Sequence, residues 1–181
     1  RRMFERSLAI GATPLRSDTS DGYGDRGLVR VDVDDCKAIN SSGGHKAGDE
    51  VLRMIASVLE GAVGEQGTVC RIGGDEFAIV VSAGDGGSLA RLAEKTRAAI
   101  GVVDWRVLCE PKVTLSMGYA TWQHVDQWKD IVIAADMALR ASKSAGKNAV
   151  TSGRQDASGI ARIGPDTAAA APVVEEIHFS A

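Results

Sequence analysis

The sequence predicts a single soluble α/β domain, and three observations predict it. The chain has 181 residues and is 44% hydrophobic, enough for one sizeable core with length to spare. Its apolar residues change period along the chain, alternating over 28–35 and taking helical spacing over 49–63. Two apolar runs at 68–72 and 77–82 are joined by a short glycine-containing turn, the signature of an antiparallel hairpin.

The elements follow in order. Residues 1–10, RRMFERSLAI, place Met3, Phe4, Leu8 and Ile10 at helical spacing and read as the end of a helix. Residues 11–26 are rich in Gly, Ser, Asp and Pro and read as a loop. LVRVDVDD (28–35) alternates apolar and polar positions, a strand pattern. INSSGGHKAGD (39–49) is expected to be a loop. From Asp49 onward, Val51, Leu52, Ile55, Val58, Leu59 and Val63 share one helical face, and GEQG (64–67) ends that helix. After the hairpin, AGDGGS (83–88) reads as a loop with Ser88 capping a helix through 89–100. A strand is expected at 112–120. A long helix is expected at 126–146, with Gly146 at its C-terminal cap, then a short strand at 148–151. Residues 153–181 are Ala-, Gly- and Pro-rich and read as a mobile tail or linker. No internal repeat is present.

The formal net charge is -3 and the isoelectric point about 5.6. This balance argues against a nucleic-acid-coating protein, while a few placed Lys and Arg still suffice for nucleotide phosphates. Cys36, Cys70 and Cys109 form no CxxC pair, which points to a reducing compartment without structural zinc. No run of 18 apolar residues and no signal-peptide pattern is present, so the expected location is the cytoplasm, alone or as the cytoplasmic part of a larger, membrane-anchored protein, with no direct membrane insertion. The chain opens on Arg1-Arg2 rather than Met, as expected of a fragment of a longer protein.

The chemistry concentrates in two acidic clusters. Asp32 and Asp34 are two apart on a strand and share a face, with Asp35 opposite. Asp75 and Glu76 sit at the hairpin turn. If the two strands are neighbours, Asp32 and Asp75 converge, and converging carboxylates repel unless a cation lies between them. Oxygen donors without His or Cys favour Mg²⁺ shared with substrate phosphates. Gly73 and Gly74 would permit positive φ and close approach of a ligand to the backbone. The residues alone leave two readings open, a surface hairpin tip and a metal site. Lys143 and Lys147, four apart on one helix face, likewise read alone as a solvated helix end.

RIGGDEFAIV (71–80) resembles the signature of the GGDEF family, the diguanylate cyclases. The similarity extends to DVDDCKAINSSGGHKAGD (32–49), SMG (116–118) and ADMALRASKSAGKN (135–148), in the family's order over about residues 1–152. The resemblance implies an α+β fold with a mainly antiparallel central sheet wrapped by helices, related to nucleotidyl cyclase and polymerase palm domains with a ferredoxin-like core. It implies joining of two GTP molecules into cyclic di-GMP with release of pyrophosphate, one GTP being presented by each subunit of a homodimer. On that resemblance Asp32, Asp75 and the backbone carbonyl of Val33 hold Mg²⁺ or Mn²⁺, and Glu76 supports the metal or the attacking hydroxyl. Asn40 and Asp49 read guanine, whose N1–H and 2-amino donors suit a carboxylate. Lys37, Lys143, Lys147 and Arg71, with Gly73 and Gly74, hold phosphates. Without the family, Asp49 reads as the N-cap of the helix that follows. A GTP-binding regulatory domain without turnover is the alternative of another class.

The chain departs from the family pattern at Cys36, Ser41, Gly43, Arg140 and Lys147, where the family has an aromatic, Asp, Phe, Tyr and Arg. Lys147 keeps the charge and loses bidentate geometry. The family's opening motif survives only as Arg1-Arg2, and a sensory or regulatory domain is expected before it. The family's inhibitory product motif, R-x-x-D, falls on Gly64 and Gly67, so no such product site is expected.

Overall fold

The structure, a computed structural model, describes residues 26–81, 86–109, 112–122, 128–155 and 161–164. The helix end expected at 1–10, most of the loop expected at 11–26 and the tail beyond 164 lie outside the described residues.

Among the described residues six strands form one sheet: β1 (Arg26–Val33), β2 (Gly67–Arg71), β3 (Glu76–Val81), β4 (Leu115–Trp122), β5 (Val150–Gln155) and β6 (Ala161–Gly164). Their order is β2-β3-β1-β4-β5-β6. Only β4 and β5 pair parallel; the other neighbours run antiparallel. The mainly antiparallel sheet is therefore present, and the strand expected at 148–151 begins at Val150. Three α-helices among the described residues cover the sheet: α1 (Cys36–Val63), α2 (Gly86–Val102) and α3 (Trp128–Ser144).

β1 is central and buried on both faces. Val29, Val31 and Val33 join Phe77 and Ile79 in a core closed by Val51, Leu52, Ile55 and Leu59 of α1 and Leu89, Leu92 and Ile100 of α2. Leu28, Ala78, Val80 and Ala120 face the other way, onto Ile131, Ala134 and Ala135 of α3. The alternation in 28–35 thus separates two cores. Asp32 is on the α3 face, two residues along from Arg30, because strand side chains alternate.

Three expectations are corrected. Residues 39–49 are not a loop: α1 begins at Cys36 and runs through them, broken only at Gly44 (φ 75, ψ 172). The serines that suggest a loop satisfy their hydroxyls inside the helix, Ser41 Oγ donating to the Lys37 carbonyl and Ser42 Oγ to that of Ile39. Ile39, 1% exposed, anchors the first turns to the core. Ser88 lies inside α2, which starts at Gly86, and its hydroxyl accepts from Arg91. The segment expected as a tail from 153 contributes the end of β5 and all of β6, registered through Gly153 opposite Ile163. Gly/Ala-rich composition carries little β propensity, and pairing with neighbouring strands overrides it.

Candidate active site

The sheet brings the acidic clusters together. Asp32 lies opposite Glu76 on β3 and Ser116 on β4. The Val33 N–H donates to the Asp75 carbonyl at 3.1 Å, stitching the hairpin end to β1. The convergence expected of Asp32 and Asp75 follows from this adjacency. Burial pushes the Asp32 carboxyl above its usual range; the Lys143 ammonium pulls it down, and the charges of Asp75 and Glu76 push it up.

The hairpin turn is held by its own backbone. The N–H groups of Ile72 and Gly73 both donate to the Glu76 carbonyl. Arg71 closes the turn from outside, its Nε and Nη2 donating to the Gly74 carbonyl at 3.2 and 2.6 Å. Neither Gly73 nor Gly74 adopts positive φ, which corrects that expectation. A Cβ at Gly73 would stand 3.1 Å from the Glu76 carboxylate, a contact that exposed side chain can relieve by a small shift. A Cβ on Gly74 would meet nothing within 4 Å, so this flank is open.

The lysines reach the same end of β1, though not from one helix face. α3 ends at Ser144. Gly146 N–H donates to the Lys143 carbonyl and Lys147 N–H to that of Ser142, the paired bonds of a Schellman cap with Gly146 at φ 114. Gly146 is thus the cap residue the sequence suggests, but Lys147 lies beyond the helix, itself at φ 66. Lys143 Nζ pairs with Asp32 at 2.6 Å, and Lys147 Nζ with Asp35 at 2.6 Å. Lys37, on the first turn of α1, is exposed.

Asn40 and Asp49 flank the break in α1. Asn40 Oδ1 lies over the Cα of Gly48, where any side chain would collide with it. Asp49 is exposed and inside α1, so it is not an N-cap. The structure brings Asn40 beside the residue preceding Asp49 and leaves that carboxylate open to solvent.

The family pattern described as "Diguanylate cyclase, GGDEF domain" matches residues 1–149. The chain belongs to this family. This GGDEF domain is 33% identical over 126 residues to Diguanylate cyclase DgcP of Pseudomonas aeruginosa, covering 69% of the chain and 19% of DgcP. It is also 33% identical over 156 residues to Cyclic di-GMP phosphodiesterase PdeB of Shewanella oneidensis, covering 83% of the chain and 17% of PdeB. The chain therefore spans about a fifth of these relatives' length. Its fold matches the GGDEF domain of DgcB from Caulobacter crescentus, solved in complex with c-di-GMP, with TM-score 0.73 and 28% identity, covering 84% of this chain and 89% of that one.

Two residues of the GGDEF domain carry more of the site than their sequence context suggests. Asp34, 4% exposed, accepts hydrogen bonds from Thr114 Oγ1 at 2.8 Å, Ser116 Oγ at 2.7 Å and the Asn148 N–H at 3.0 Å. Its place on the Asp32 face is legible; its partners, far away in sequence, are not. Arg30 sits between two carboxylates, its Nε 2.7 Å from Asp136 of α3 and its Nη2 3.5 Å from Glu76. The Asp136 contact is an ion pair without hydrogen-bond alignment. A charged residue flanked by Val29 and Val31 in a central strand is the signal that points to it.

The carboxylates of the GGDEF domain fit a divalent cation of the Mg²⁺ or Mn²⁺ type. Asp32 is buried beside two further negative charges, where added positive charge is favoured. Among the described residues no three His, Cys, Asp or Glu side chains form a cage. An open set of one or two carboxylates suits Mg²⁺, which keeps waters and substrate phosphates as its other ligands. Among the described residues no helix is long and apolar enough to cross a membrane.

Proposed function

We propose that the chain is a diguanylate cyclase that condenses two GTP molecules into cyclic di-GMP and pyrophosphate. The observation that carries this reading is the meeting of Asp32, Asp75 and Glu76 with Lys143 and Lys147 at the end of β1.

Asn40 and Asp49 take the guanine edge; the solvent-open Asp49 carboxylate accepts N1–H and the 2-amino group once the base covers it, and adenine offers no such donor pair. Lys37, Lys143, Lys147 and Arg71, with the open flank at Gly74, take the triphosphate. Asp32, Asp75 and the Val33 carbonyl would hold Mg²⁺ or Mn²⁺, which supplies positive charge to the phosphates and acidifies the attacking hydroxyl. Glu76, leaning toward Arg30, is the carboxylate assigned to the hydroxyl proton. The 3′-oxygen of each GTP forms a bond to the α-phosphorus of the other, the bond to pyrophosphate breaks, and the hydroxyl proton is released. One domain presents one GTP, so two copies are required to complete the ring.

The test is incubation with GTP and Mg²⁺ and chromatography for cyclic di-GMP, with Asp75→Ala alongside. Product from the unaltered chain and none from the variant is expected. No product from a verified dimer rejects the reading. Similarity to PdeB, named as a phosphodiesterase, favours a second reading, a GTP-binding regulatory domain, which titration separates as binding without turnover.

A further inference from the structure

We propose that Lys143 is the resident counter-ion of this site and makes it selective for a metal–triphosphate complex over a free divalent cation. The inference rests on the metal–nucleotide reading above and concerns what the chain's own residues do before any ligand arrives.

Asp32 Oδ2 and Lys143 Nζ are 2.6 Å apart, with side chains 10% and 40% exposed. Asp32 is largely out of water, and two further carboxylates, Asp75 and Glu76, act on it. A carboxylate so placed needs a positive partner, and Lys143 supplies it. The ammonium is held in reach by its position in the last turn of α3, where the exposed carbonyl ends favour a cation. Lys147, just past that helix, pairs in the same way with Asp35. Two of the four cations assigned to the triphosphate are therefore engaged with the acidic end of β1 and the residue that opens α1.

A divalent cation arriving alone must displace Lys143 from Asp32 or sit beside it. Either way two positive charges share a partly desolvated space, and like charges repel strongly there. A cation arriving with a triphosphate brings a destination for the ammonium: Lys143 moves from carboxylate to phosphate as the metal takes its place. Only the second exchange gives the displaced ammonium a new anionic partner. Metal and nucleotide are then positively coupled, and the coupling is reciprocal.

The experiment measures Mn²⁺ binding by the electron paramagnetic resonance signal of the unbound ion. The unaltered chain is compared with Lys143→Met and Lys143→Gln. Arg106→Met serves as control, removing one positive charge from the exposed pair with Asp104. Circular dichroism checks that each variant is folded. Without nucleotide, both Lys143 variants are expected to bind Mn²⁺ about tenfold more tightly than the unaltered chain, within the usual range of coupling between sites. Arg106→Met is expected to match the unaltered chain. In a second arm, 3′-deoxy-GTP, which lacks the attacking hydroxyl, is added and the Mn²⁺ it holds in solution is subtracted. It is expected to tighten Mn²⁺ binding about tenfold in the unaltered chain and by less in the Lys143 variants. Lys143 variants that bind Mn²⁺ alone no more tightly than the unaltered chain overturn the proposal. If the analogue fails to bind the unaltered chain, the cyclase reading falls, and the nucleotide-free arm still decides the role of Lys143.

Discussion

The backbone N–H of Asn148 donates to Asp34 Oδ2 at 3.0 Å, joining the end of β1 to the turn that carries Lys147. Asn148 continues the link, its Oδ1 accepting from Arg97 of α2 at 2.8 Å. Asp34 is thus the point where β1, β4 and the segment after α3 are tied. Asp34→Ala leaves Ser116 Oγ, fully buried, and the Asn148 N–H without their acceptor, and is expected to cost about 3 kcal/mol in urea unfolding. Ser116→Ala removes one donor and is expected to cost about 1 kcal/mol. Because both act through one carboxylate, the double variant should cost clearly less than the sum. Additive losses would show that the two do not share an acceptor.

Guanine selection is expected to depend on Asp49. Asp49→Ala removes the acceptor for two base donors, and a charged hydrogen-bond partner of this kind is worth roughly 1.5–3 kcal/mol. The KM for GTP should rise about tenfold or more, with ATP incorporation unchanged in absolute rate. Competition between the two nucleotides, read as linear and cyclic products, checks it. An unaltered preference for GTP would remove Asp49 from the guanine site.

How much of this was legible in the sequence varies with the distance of the cause. The α1 core face was legible because Val51, Leu52, Ile55 and Leu59 recur at the helical period, and all are buried. The sequence brings Asp32 to the hairpin carboxylates only on the condition that the two strands are neighbours, and the β1–β3 register supplies that condition. Residues 39–49 were misread because serine and glycine signal loops locally, while Ile39 gains its burial from the whole core. Lys147 was misplaced by a residue-spacing argument that a glycine with positive φ overrides. The hub at Asp34 and the Arg30 pairs depend on partners 46 to 114 residues away, and no local pattern encodes those contacts.

Cys36 offers a test of the site's electrostatics that needs no turnover. Burial pushes its thiol up, and the charges of Asp75 and Asp32 push it further, against a smaller opposing pull from Arg71. A raised thiol pKa means less thiolate at a given pH and slower alkylation. Asp75→Asn removes one of the charges that raise it, so the thiol pKa falls and iodoacetamide labelling near pH 8 should accelerate severalfold. Mass spectrometry of the Cys36 peptide across a pH series reads the shift. A labelling profile identical to that of the unaltered chain would place Asp75 too far from Cys36 to act on it.

Product inhibition of the R-x-x-D type is expected to be absent. Gly67 in β2 lies so near the Val80 carbonyl that an added Cβ would stand 2.5 Å from it, so no acidic side chain fits there without moving β3. Added cyclic di-GMP should leave the initial rate unchanged apart from competition with GTP. A non-competitive fall in rate would show that product binds elsewhere on the domain.

The turn at Gly146 separates positioning from stability. Its φ of 114 is costly for any residue with a Cβ, yet a Cβ there would meet nothing within 4 Å. The cost of Gly146→Ala is therefore conformational alone, about 1 kcal/mol by thermal unfolding. Lys147→Met removes an exposed ammonium paired with the exposed Asp35, and such pairs contribute little to folding, so its unfolding midpoint should stay put. Both variants should weaken binding of a GTP analogue, the first by displacing Lys147 and the second by deleting its charge. If Gly146→Ala lowers the midpoint and leaves analogue binding intact, the turn serves the fold and Lys147 does not reach the phosphates.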